Sequence, residues 1–284
     1  MPLYRRTDKG LLERFYTAFR ELFFQALGAY RLIRLEGNGV THVMLPDGFG
    51  CFEEIFFKQI YFEPKTIFHA DVIIDLGAHQ GTFSTYAILN MKPHSILVSI
   101  EPNPKAYSVL LENIRLLRHI IMKRKLEVRT INKAVYISKK FVKLKLTKHS
   151  ETSYISASGD LDVQTITLRE LFSIFQHLKD PKILLKMDIE GTEHELLMDE
   201  ESLKFLGMCK AIAIEPHGNL NQIKEALEHL RFEVSVQNIM LDPTLCLRWL
   251  KCRPRLYTSI IASYRLIALS IAKPRITIVR AEQR

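Results

Sequence analysis

Three ionisable residues alternate at the end of an apolar segment. Lys186, Asp188 and Glu190 follow the apolar run 183–185, and single residues separate them from one another. Alternate residues of a strand share a face, so the three side chains are expected to project together. Burying such groups beside an apolar core is costly unless they pair with one another or serve a ligand. The pattern therefore predicts a catalytic or binding site, with a structural ion network as the alternative.

A second polar pair follows the apolar run 211–214. Glu215 and His217 stand directly after this run, and a histidine can accept a proton near neutral pH. An isolated histidine is more often structural, but this one ends a segment with the composition of a central strand. His217 and Asp188 are therefore both candidates for a general base.

A glycine-containing turn follows the first apolar run, 72–76, and precedes a helical stretch. It contains Asp75, Gly77, Ala78, His79 and Gly81. Glycine lets a backbone approach a ligand closely, and a helix N-terminus offers free N–H groups. The spacing is G-x-x-x-G, not the G-x-G-x-x-G of dinucleotide-binding folds, so a pyrophosphate ligand is not favoured. Tight packing of the strand on the helix explains the glycines equally well.

Glu101 ends the second apolar run, 20 residues after Gly81. In nucleoside-binding folds a carboxylate at this point holds the ribose diol. The alternative is that Glu101 caps the helix that begins near Pro104. The turn and Glu101 together predict a nucleoside-bearing cofactor that lies across the first two strands.

The elements that must position these residues alternate between strands and helices. Apolar runs of the kind buried on both faces occupy 72–76, 95–100, 182–187 and 211–214, and stretches with helical spacing occupy 104–118, 192–206 and 219–230. This alternation predicts an α/β fold, a parallel sheet with helices on both faces. Ligands of such sheets bind at the carboxyl ends of the strands, where the candidate residues stand.

The first 68 residues are predicted to form an appendage to a domain that spans 69–284. Apolar residues with helical spacing over 11–27 predict an amphipathic helix. Two β-like runs, 30–35 and 40–45, flank the turn signal Gly37-Asn38-Gly39 and predict a hairpin. The helix is expected to pack on the domain, because its polar face carries both signs of charge.

Four runs in the chain resemble, in order and spacing, the FkbM-type S-adenosylmethionine-dependent methyltransferases. They read D-L-G-A-H-Q-G-T-F-S, S-I-E-P-N-P, L-L-K-M-D-I-E-G-T-E and I-E-P-H. The resemblance covers 51–236 and the final strand, 275–279. It implies a class I methyltransferase (Rossmann-like) fold, whose seven-stranded, mostly parallel sheet has an antiparallel last strand.

The resemblance also implies roles for residues around S-adenosylmethionine. It assigns Asp75, Gly77, Ala78 and Gly81 to the methionine end and Glu101 to the ribose, and it places Asn103 and the stretch 132–135, with Asn132 and Ala134, beside the adenine. Two residues depart from the family pattern. His79, in the cofactor turn, replaces the usual Asn, and Thr192 replaces the usual Ala.

The resemblance associates the chain with O-methylation of a hydroxyl on a sugar, glycan or small natural product. Asp188 or His217 is expected to accept the hydroxyl proton, Glu190 and Glu215 to orient the groups, and Lys186 to hold the carboxylates or the acceptor. The four cysteines are scattered, so no zinc site or disulfide is expected, and a reducing compartment is the default. Two alternatives stay open, an RNA methyltransferase and a non-catalytic scaffold.

The excess positive charge is confined to two blocks. The chain has 40 Lys and Arg against 31 Asp and Glu, a formal net charge of +9. Block 115–148 contains twelve basic residues and one acid, and block 244–284 contains nine and one. Either block is a candidate surface for an anionic partner, RNA or a membrane, although Tyr136 and Phe141 are the only aromatic residues of the first.

The second block overlaps an insertion at about 238–274, in which apolar and basic residues interleave. This composition fits a lid, a membrane-contacting segment or core packing. The most apolar stretch, 256–272, contains Arg265 and is shorter than the roughly 20 residues of a membrane span. We therefore expect no transmembrane helix and a cytoplasmic location, with peripheral membrane contact as an option.

Overall fold

A central sheet of seven strands carries the candidate residues at its carboxyl edge. The structure, a computed structural model, describes residues 31–35, 40–44, 49–138, 140–147, 153–240 and 275–283. The predicted helix at 11–27 and nearly all of the insertion at 238–274 lie outside these residues. The strands of the sheet are β3 (Val72–Leu76), β4 (Ile96–Ile100), β5 (Glu127–Ile131), β10 (Ile183–Met187), β11 (Ala211–Ile214), β12 (Phe232–Met240) and β13 (Arg275–Gln283).

The strand order in this sheet is β12-β13-β11-β10-β3-β4-β5. The pairs from β11 to β5 are parallel, whereas β13 runs antiparallel to both β11 and β12. The predicted seven-stranded, mostly parallel sheet with an antiparallel last strand is thus confirmed. Strand order reverses between β3 and β10, which is the point where open α/β sheets bind ligands.

Helices cover both faces of the sheet. They are α1 (Phe49–Phe52), α2 (Pro64–His69), α3 (Thr82–Asn90), α4 (Pro104–Leu116), α5 (Arg118–Arg124), α6 (Leu168–Phe172), α7 (Glu193–Met198), α8 (Glu200–Leu206) and α9 (Leu220–His229). A π-helical segment, Glu53–Lys58, follows α1, and a short 3₁₀ turn, Ser173–Phe175, follows α6. The helix predicted over 192–206 is two helices, because Asp199 takes an extended conformation and caps α8 through Ser202 N.

The central strands are buried on both sides, which explains their continuous apolar runs. Val72, Ile74 and Leu76 of β3 belong to the core on one face, whereas Ile73 belongs to the core on the other. The second core also contains Phe52 and other residues of the segment between α1 and α2. This segment therefore packs directly on the sheet and brings Tyr61 to its edge.

Two smaller sheets were only partly predicted. The expected hairpin is confirmed as β1 (Arg31–Leu35) and β2 (Val40–Met44), which pair antiparallel. A four-stranded sheet in the order β6-β9-β7-β8 lies between β5 and α6 in the chain and was not predicted. It consists of β6 (Ala134–Val135), β7 (Phe141–Lys145), β8 (Tyr154–Ile155) and β9 (Leu161–Ile166).

Within the part of the chain that the structure describes, every helix is too short or too polar to cross a lipid bilayer.

Candidate active site

A cleft opens at the carboxyl ends of β3, β4 and β10. The space inside it that a water-sized sphere can enter is about 70 Å³, below the roughly 300–1,000 Å³ that is usual for small-molecule sites. It is lined by Cys51, Gly77, His79, Ile100, Glu101, Pro102, Ala134, Val135, Leu144, Ser153, Ile155, Asp188, Ile189, Glu190 and Thr192. Six residues predicted from the sequence are among them, and the lining residues Leu144, Ser153 and Ile155 come from the unpredicted small sheet or the residue before β8.

Glu101 presents a buried carboxylate to this cleft. Oε2 accepts a hydrogen bond from the backbone N of His79 at 2.7 Å, and Oε1 accepts one from the backbone N of Asn103 at 2.8 Å. The carboxylate thus holds the turn after β3 against the end of β4, and each oxygen keeps a lone pair for a further donor. Burial raises the pKa of Glu101 to about 7, and the two backbone N–H groups only partly offset this rise.

The glycines of the turn are required by packing. Gly77 has φ +74°, and a Cβ at this position would overlap the carbonyl oxygen of Asp188. Gly81 has φ +80°, and a Cβ there would lie 2.6 Å from Cδ1 of Leu110. Both directions point into the protein, so tight strand and helix packing accounts for glycine at these two positions, and their role beside the cofactor stays a prediction.

Two other residues of the turn have defined places. His79 adopts φ +50°, a conformation that Asn, Asp and His tolerate better than most residues, and it lines the cleft. Asp75 is fully buried below the turn, where its Oδ2 accepts a hydrogen bond from Ser84 Oγ at 2.6 Å. Burial raises the pKa of Asp75, against the opposing effect of Lys186.

Lys186 ties the turn to the end of β10. Its Nζ donates to the carbonyl oxygen of Gly77 at 2.6 Å and lies 3.3 Å from Asp188 Oδ2 and 3.4 Å from Asp75 Oδ1. Burial opposes the positive charge, but Asp188 and Asp75 outweigh burial and raise the pKa of Lys186. The predicted role of Lys186, holding the carboxylate cluster, matches this geometry.

Tyr61 links the ends of β10 and β11, a role that was not predicted. Its hydroxyl is 3.1 Å from Asp188 Oδ2 and 3.0 Å from Glu215 Oε2. Burial and the carboxylates of Asp188 and Glu215 raise the pKa of Tyr61. Burial and the nearby charge of Asp188 raise the pKa of Glu215 to about 8.

His217 lies between two glutamates. Its Nδ1 is 3.1 Å from Glu193 Oε1, and its Nε2 is 3.4 Å from Glu190 Oε2. Burial favours the neutral ring, but the hydrogen bond to Glu193 and the charge of Glu190 outweigh burial and raise the pKa of His217 to about 9. Glu193 was quoted in the sequence motif without a role. Its fully buried position in the first turn of α7 is visible only in the structure.

Strand alternation explains only part of the 186–190 arrangement. β10 ends at Met187, and Glu190 adopts φ +55° in the following turn. The backbone N–H groups of Ile189 and Gly191 donate to the Glu193 carboxylate at 2.9 Å each. The turn, rather than strand pleating, therefore directs Glu190 toward His217.

The residues predicted to flank the adenine have different surroundings. Ala134 lines the cleft, as expected for a wall residue. Asn103 caps α4 by accepting from Lys105 N and also contacts Ser153 Oγ at 3.3 Å. Asn132 donates to the carbonyl oxygens of Glu101 and Pro102. Both asparagines thus hold the backbone near the cleft, and Ala78 and Gly81 lie in the turn behind it.

The sequence of residues 75–238 matches the Methyltransferase FkbM domain family. The match includes the glycine turn and Glu101. It also includes the residues of the carboxylate cluster, Asp75, Asp188, Glu190, Glu193 and Glu215. The chain belongs to this family. No curated protein matches the chain in sequence.

Several solved structures resemble this FkbM-domain protein at low identity. Precorrin-6y C5,15-methyltransferase from Geobacter metallireducens is 14% identical, with 78% of this chain and 85% of that chain covered and a TM-score of 0.38. A methyltransferase FkbM from Methylobacillus flagellatus is 11% identical, with 80% and 49% covered and a TM-score of 0.42. An O-methyltransferase from Bacillus cereus, solved with SAH, is 11% identical, with 95% and 91% covered and a TM-score of 0.41. Sequence identities and TM-scores as low as these carry no information on the roles of individual residues.

As a member of this family, the protein is a methyltransferase whose cofactor is S-adenosylmethionine. The residues present fit this cofactor. Glu101 is the buried carboxylate that would bind the ribose hydroxyls, because each of its oxygens already accepts one hydrogen bond and can accept another. The walls formed by Ala134, Val135 and Ile155 are apolar and suit an adenine ring. Asp188 and Glu190, which follow β10 in the chain, also line the cleft.

Proposed function

We propose that this FkbM-domain protein methylates a hydroxyl group on a sugar, a glycan or a small natural product. The observation that carries the proposal is the gathering of Asp188, Glu190, Glu215 and His217 at the ends of β10 and β11. Asp188 and Glu190 line the cleft, and Tyr61 and His217 connect them to Glu215 and Glu193. Carboxylates and a histidine are the groups that orient a hydroxyl and take its proton.

The chain's own residues have two tasks in such a reaction. When bound, S-adenosylmethionine supplies a methyl group on a positively charged sulfur. The acceptor oxygen must be held in line with that group, because alignment alone lowers the barrier of a displacement. One S–C bond breaks, one O–C bond forms, and the hydroxyl proton passes to a side chain at the rim.

Asp188 and His217 are the proposed proton acceptors, and His217, whose pKa is raised to about 9, accepts the proton only in its neutral form. The contacts of Asp188 with Tyr61 and Lys186 both use Oδ2, and Oδ1 takes part in neither. Glu193 holds Nδ1 of His217, so Nε2 is the ring nitrogen that faces Glu190. Glu190 and Glu215 are proposed to orient these two groups, and Lys186 to keep the Asp188 carboxylate in place.

The test is transfer of a labelled methyl group from S-adenosylmethionine into fractionated cell extract. Glycan, lipid, RNA and small-molecule pools are separated, and label is expected in the glycan or small-molecule pool. Asp188→Asn and His217→Ala are each expected to lower transfer about 10²–10⁴-fold, the usual contribution of a general base, while cofactor binding is retained. Full turnover by both variants would contradict the assignment, and Glu225→Gln, on the exposed face of α9, is the matched control.

We propose separately that the basic blocks bind an anionic partner, which the same methyl-transfer assay tests. In block 115–148, Arg118 and Lys123 are exposed on α5. Arg124, in contrast, donates to the carbonyl oxygens of Ile88, Leu89 and Met91 at the end of α3. Part of the block is therefore structural. Label in the RNA pool, with affinity that falls steeply with salt, would favour the RNA methyltransferase, and no label in any pool would favour a scaffold.

A further inference from the structure

Three side chains of the rim can reach a common point. Asp188, Glu190 and His217 each offer one ligand atom, and these atoms all lie within 4.8 Å of one another. Among these atoms, His217 Nε2 and Glu190 Oε2 lie 3.4 Å apart. Two ligand atoms bound to one metal ion at about 2.1 Å are roughly 3.0–3.4 Å apart. Small rotations of these three half-buried side chains would therefore bring their ligand atoms to the spacing that one ion requires.

Glu193 prepares His217 for this role. It is fully buried, and its Oε1 lies 3.1 Å from His217 Nδ1. Its two oxygens also accept the backbone N–H groups of Ile189 and Gly191, which fixes the carboxylate itself. Metal-bound histidines almost always donate their other ring nitrogen to such a carboxylate. With Nδ1 engaged in this way, Nε2 faces Glu190 at 3.4 Å, and an ion bound between the two would replace that contact.

A buried hydroxyl beside the cluster has no hydrogen-bond partner among the residues that the structure describes. It belongs to Thr192, which is 4% exposed and whose Oγ1 is buried. Thr192 lines the same cleft as Asp188 and Glu190, although it caps α7 by position and makes no capping hydrogen bond. Leaving a hydroxyl unpaired costs about 1–3 kcal/mol, so Thr192 is suited to a ligand or to a water molecule bound to one.

The charges around the cluster favour a cation. Within the part of the chain that the structure describes, five carboxyl groups meet here and contact the basic side chains of Lys186 and His217. Lys186 lies beside Asp75 and Asp188, away from the pair formed by Glu190 and His217. The five carboxyl groups belong to Asp75, Asp188, Glu190, Glu193 and Glu215.

We propose that Asp188, Glu190 and His217 bind a divalent ion of the first transition row, such as Mn²⁺, with Thr192 beside it. Two carboxylates and one imidazole suit Mn²⁺ or Zn²⁺. The scattered cysteines predicted no zinc site, but this set contains no cysteine. The role of the ion rests on the proposed function, since it would hold the acceptor oxygen and make its hydroxyl more acidic. With Nε2 of His217 on the ion, the hydroxyl proton would pass to the Asp188 oxygen that is not bound to the ion. Binding of the ion does not depend on that function.

The test is direct titration of the full chain with Mn²⁺, without S-adenosylmethionine or acceptor. The electron paramagnetic resonance signal of free Mn²⁺ disappears as the ion binds, and we expect one ion per chain. Glu190→Gln and His217→Ala remove a ligand and are expected to weaken binding more than tenfold. Glu193→Gln is expected to weaken it about 10–100-fold, the usual effect of a residue that positions a ligand. Thr192→Val is expected to weaken binding, whereas Thr192→Ser retains it.

Glu225→Gln, on α9 and exposed, is the matched acidic control and should bind as the unaltered chain does. Circular dichroism and S-adenosylhomocysteine binding establish that each variant is folded. The proposal is overturned if neither Mn²⁺ nor Zn²⁺ binds, or if Glu190→Gln and His217→Ala bind Mn²⁺ unchanged. If one Mn²⁺ binds per chain but no methyl group is transferred, the proposed function alone is contradicted. If the chain transfers methyl groups but binds neither Mn²⁺ nor Zn²⁺, this site alone is contradicted.

Discussion

Replacing Glu101 with glutamine should remove a pH dependence from cofactor binding. The carboxylate is buried and its pKa is raised to about 7. A ribose diol donates two hydrogen bonds, and the ionised carboxylate accepts both, whereas the protonated acid has lost part of its acceptor capacity. The affinity of the unaltered chain should therefore rise as the pH rises through about 7. Glutamine keeps the size of the side chain but does not titrate.

The expected magnitude follows from this pKa. If the ionised form alone binds well, the dissociation constant rises about tenfold for each pH unit below 7. Between pH 8 and pH 6 the unaltered chain should lose about tenfold in affinity. Glu101→Gln should bind about 10–100-fold more weakly at pH 8, because one or two hydrogen bonds to a charged acceptor are each worth about 1.5–3 kcal/mol, and its affinity should not change with pH.

The free energy of unfolding has the opposite pH dependence. Glu101 has a folded pKa above its ordinary value of 4.5, so the folded chain holds the proton more tightly than the unfolded chain. Its stabilising effect is complete below about 4.5 and is lost as the pH rises to about 7, a change of about 3 kcal/mol. Cofactor affinity and stability thus change in opposite directions over the same interval.

The assay is calorimetry with S-adenosylhomocysteine at pH 6, 7 and 8. Glu112→Gln is the control, because Glu112 is a partly exposed glutamate of α4 that pairs with Arg115. Equal affinity of the unaltered chain at the three pH values would refute the reasoning. So would a Glu101→Gln variant that keeps the same pH dependence, since other groups would then cause it.

Two further substitutions test how the turn is held. Gly77→Ala places a Cβ against the carbonyl oxygen of Asp188 and should destabilise the protein by more than about 3 kcal/mol in chemical denaturation. Gly191→Ala also has positive φ but meets no atom within 4 Å, so its cost should be about 1–2 kcal/mol, and equal effects of the two would contradict the packing explanation. Lys186→Met leaves Asp75 and Asp188 without their buried cation and should cost about 3–5 kcal/mol, and a melting temperature equal to that of the parent would argue against the ion network.

The central strands could be predicted because burial on both faces leaves a largely apolar run in the local sequence. A strand covered on both faces is apolar at most positions, so β3, β4, β10 and β11 are visible as runs, interrupted at Asp75, Ser99 and Lys186. Each polar residue that ends such a run, such as Glu101 or Asp188, could then be placed at the edge of the sheet by topology alone. The strands β7 and β9 alternate buried and exposed residues, and β7 lies in the basic block 115–148, so no comparable run marked them.

The chemistry of the rim depends on contacts between residues far apart in the chain. Tyr61 is separated from Asp188 by 127 positions, and Glu193 from His217 by 24, so no local pattern indicates that they meet. The glycines show the same limit. Their spacing was compatible with ligand binding or with packing, and only the position of Asp188 and Leu110 in space showed that packing requires glycine at both positions.

The sequence by itself determined the sheet, its carboxyl-edge residues and the family, because these follow from apolar periodicity and from short motifs. The tertiary structure decided which of those residues pair. It placed Glu193 behind His217 and Lys186 between Asp75 and Asp188. The energy of a charge depends on its burial and on its neighbours in space, and neither is encoded in the spacing of residues along the chain.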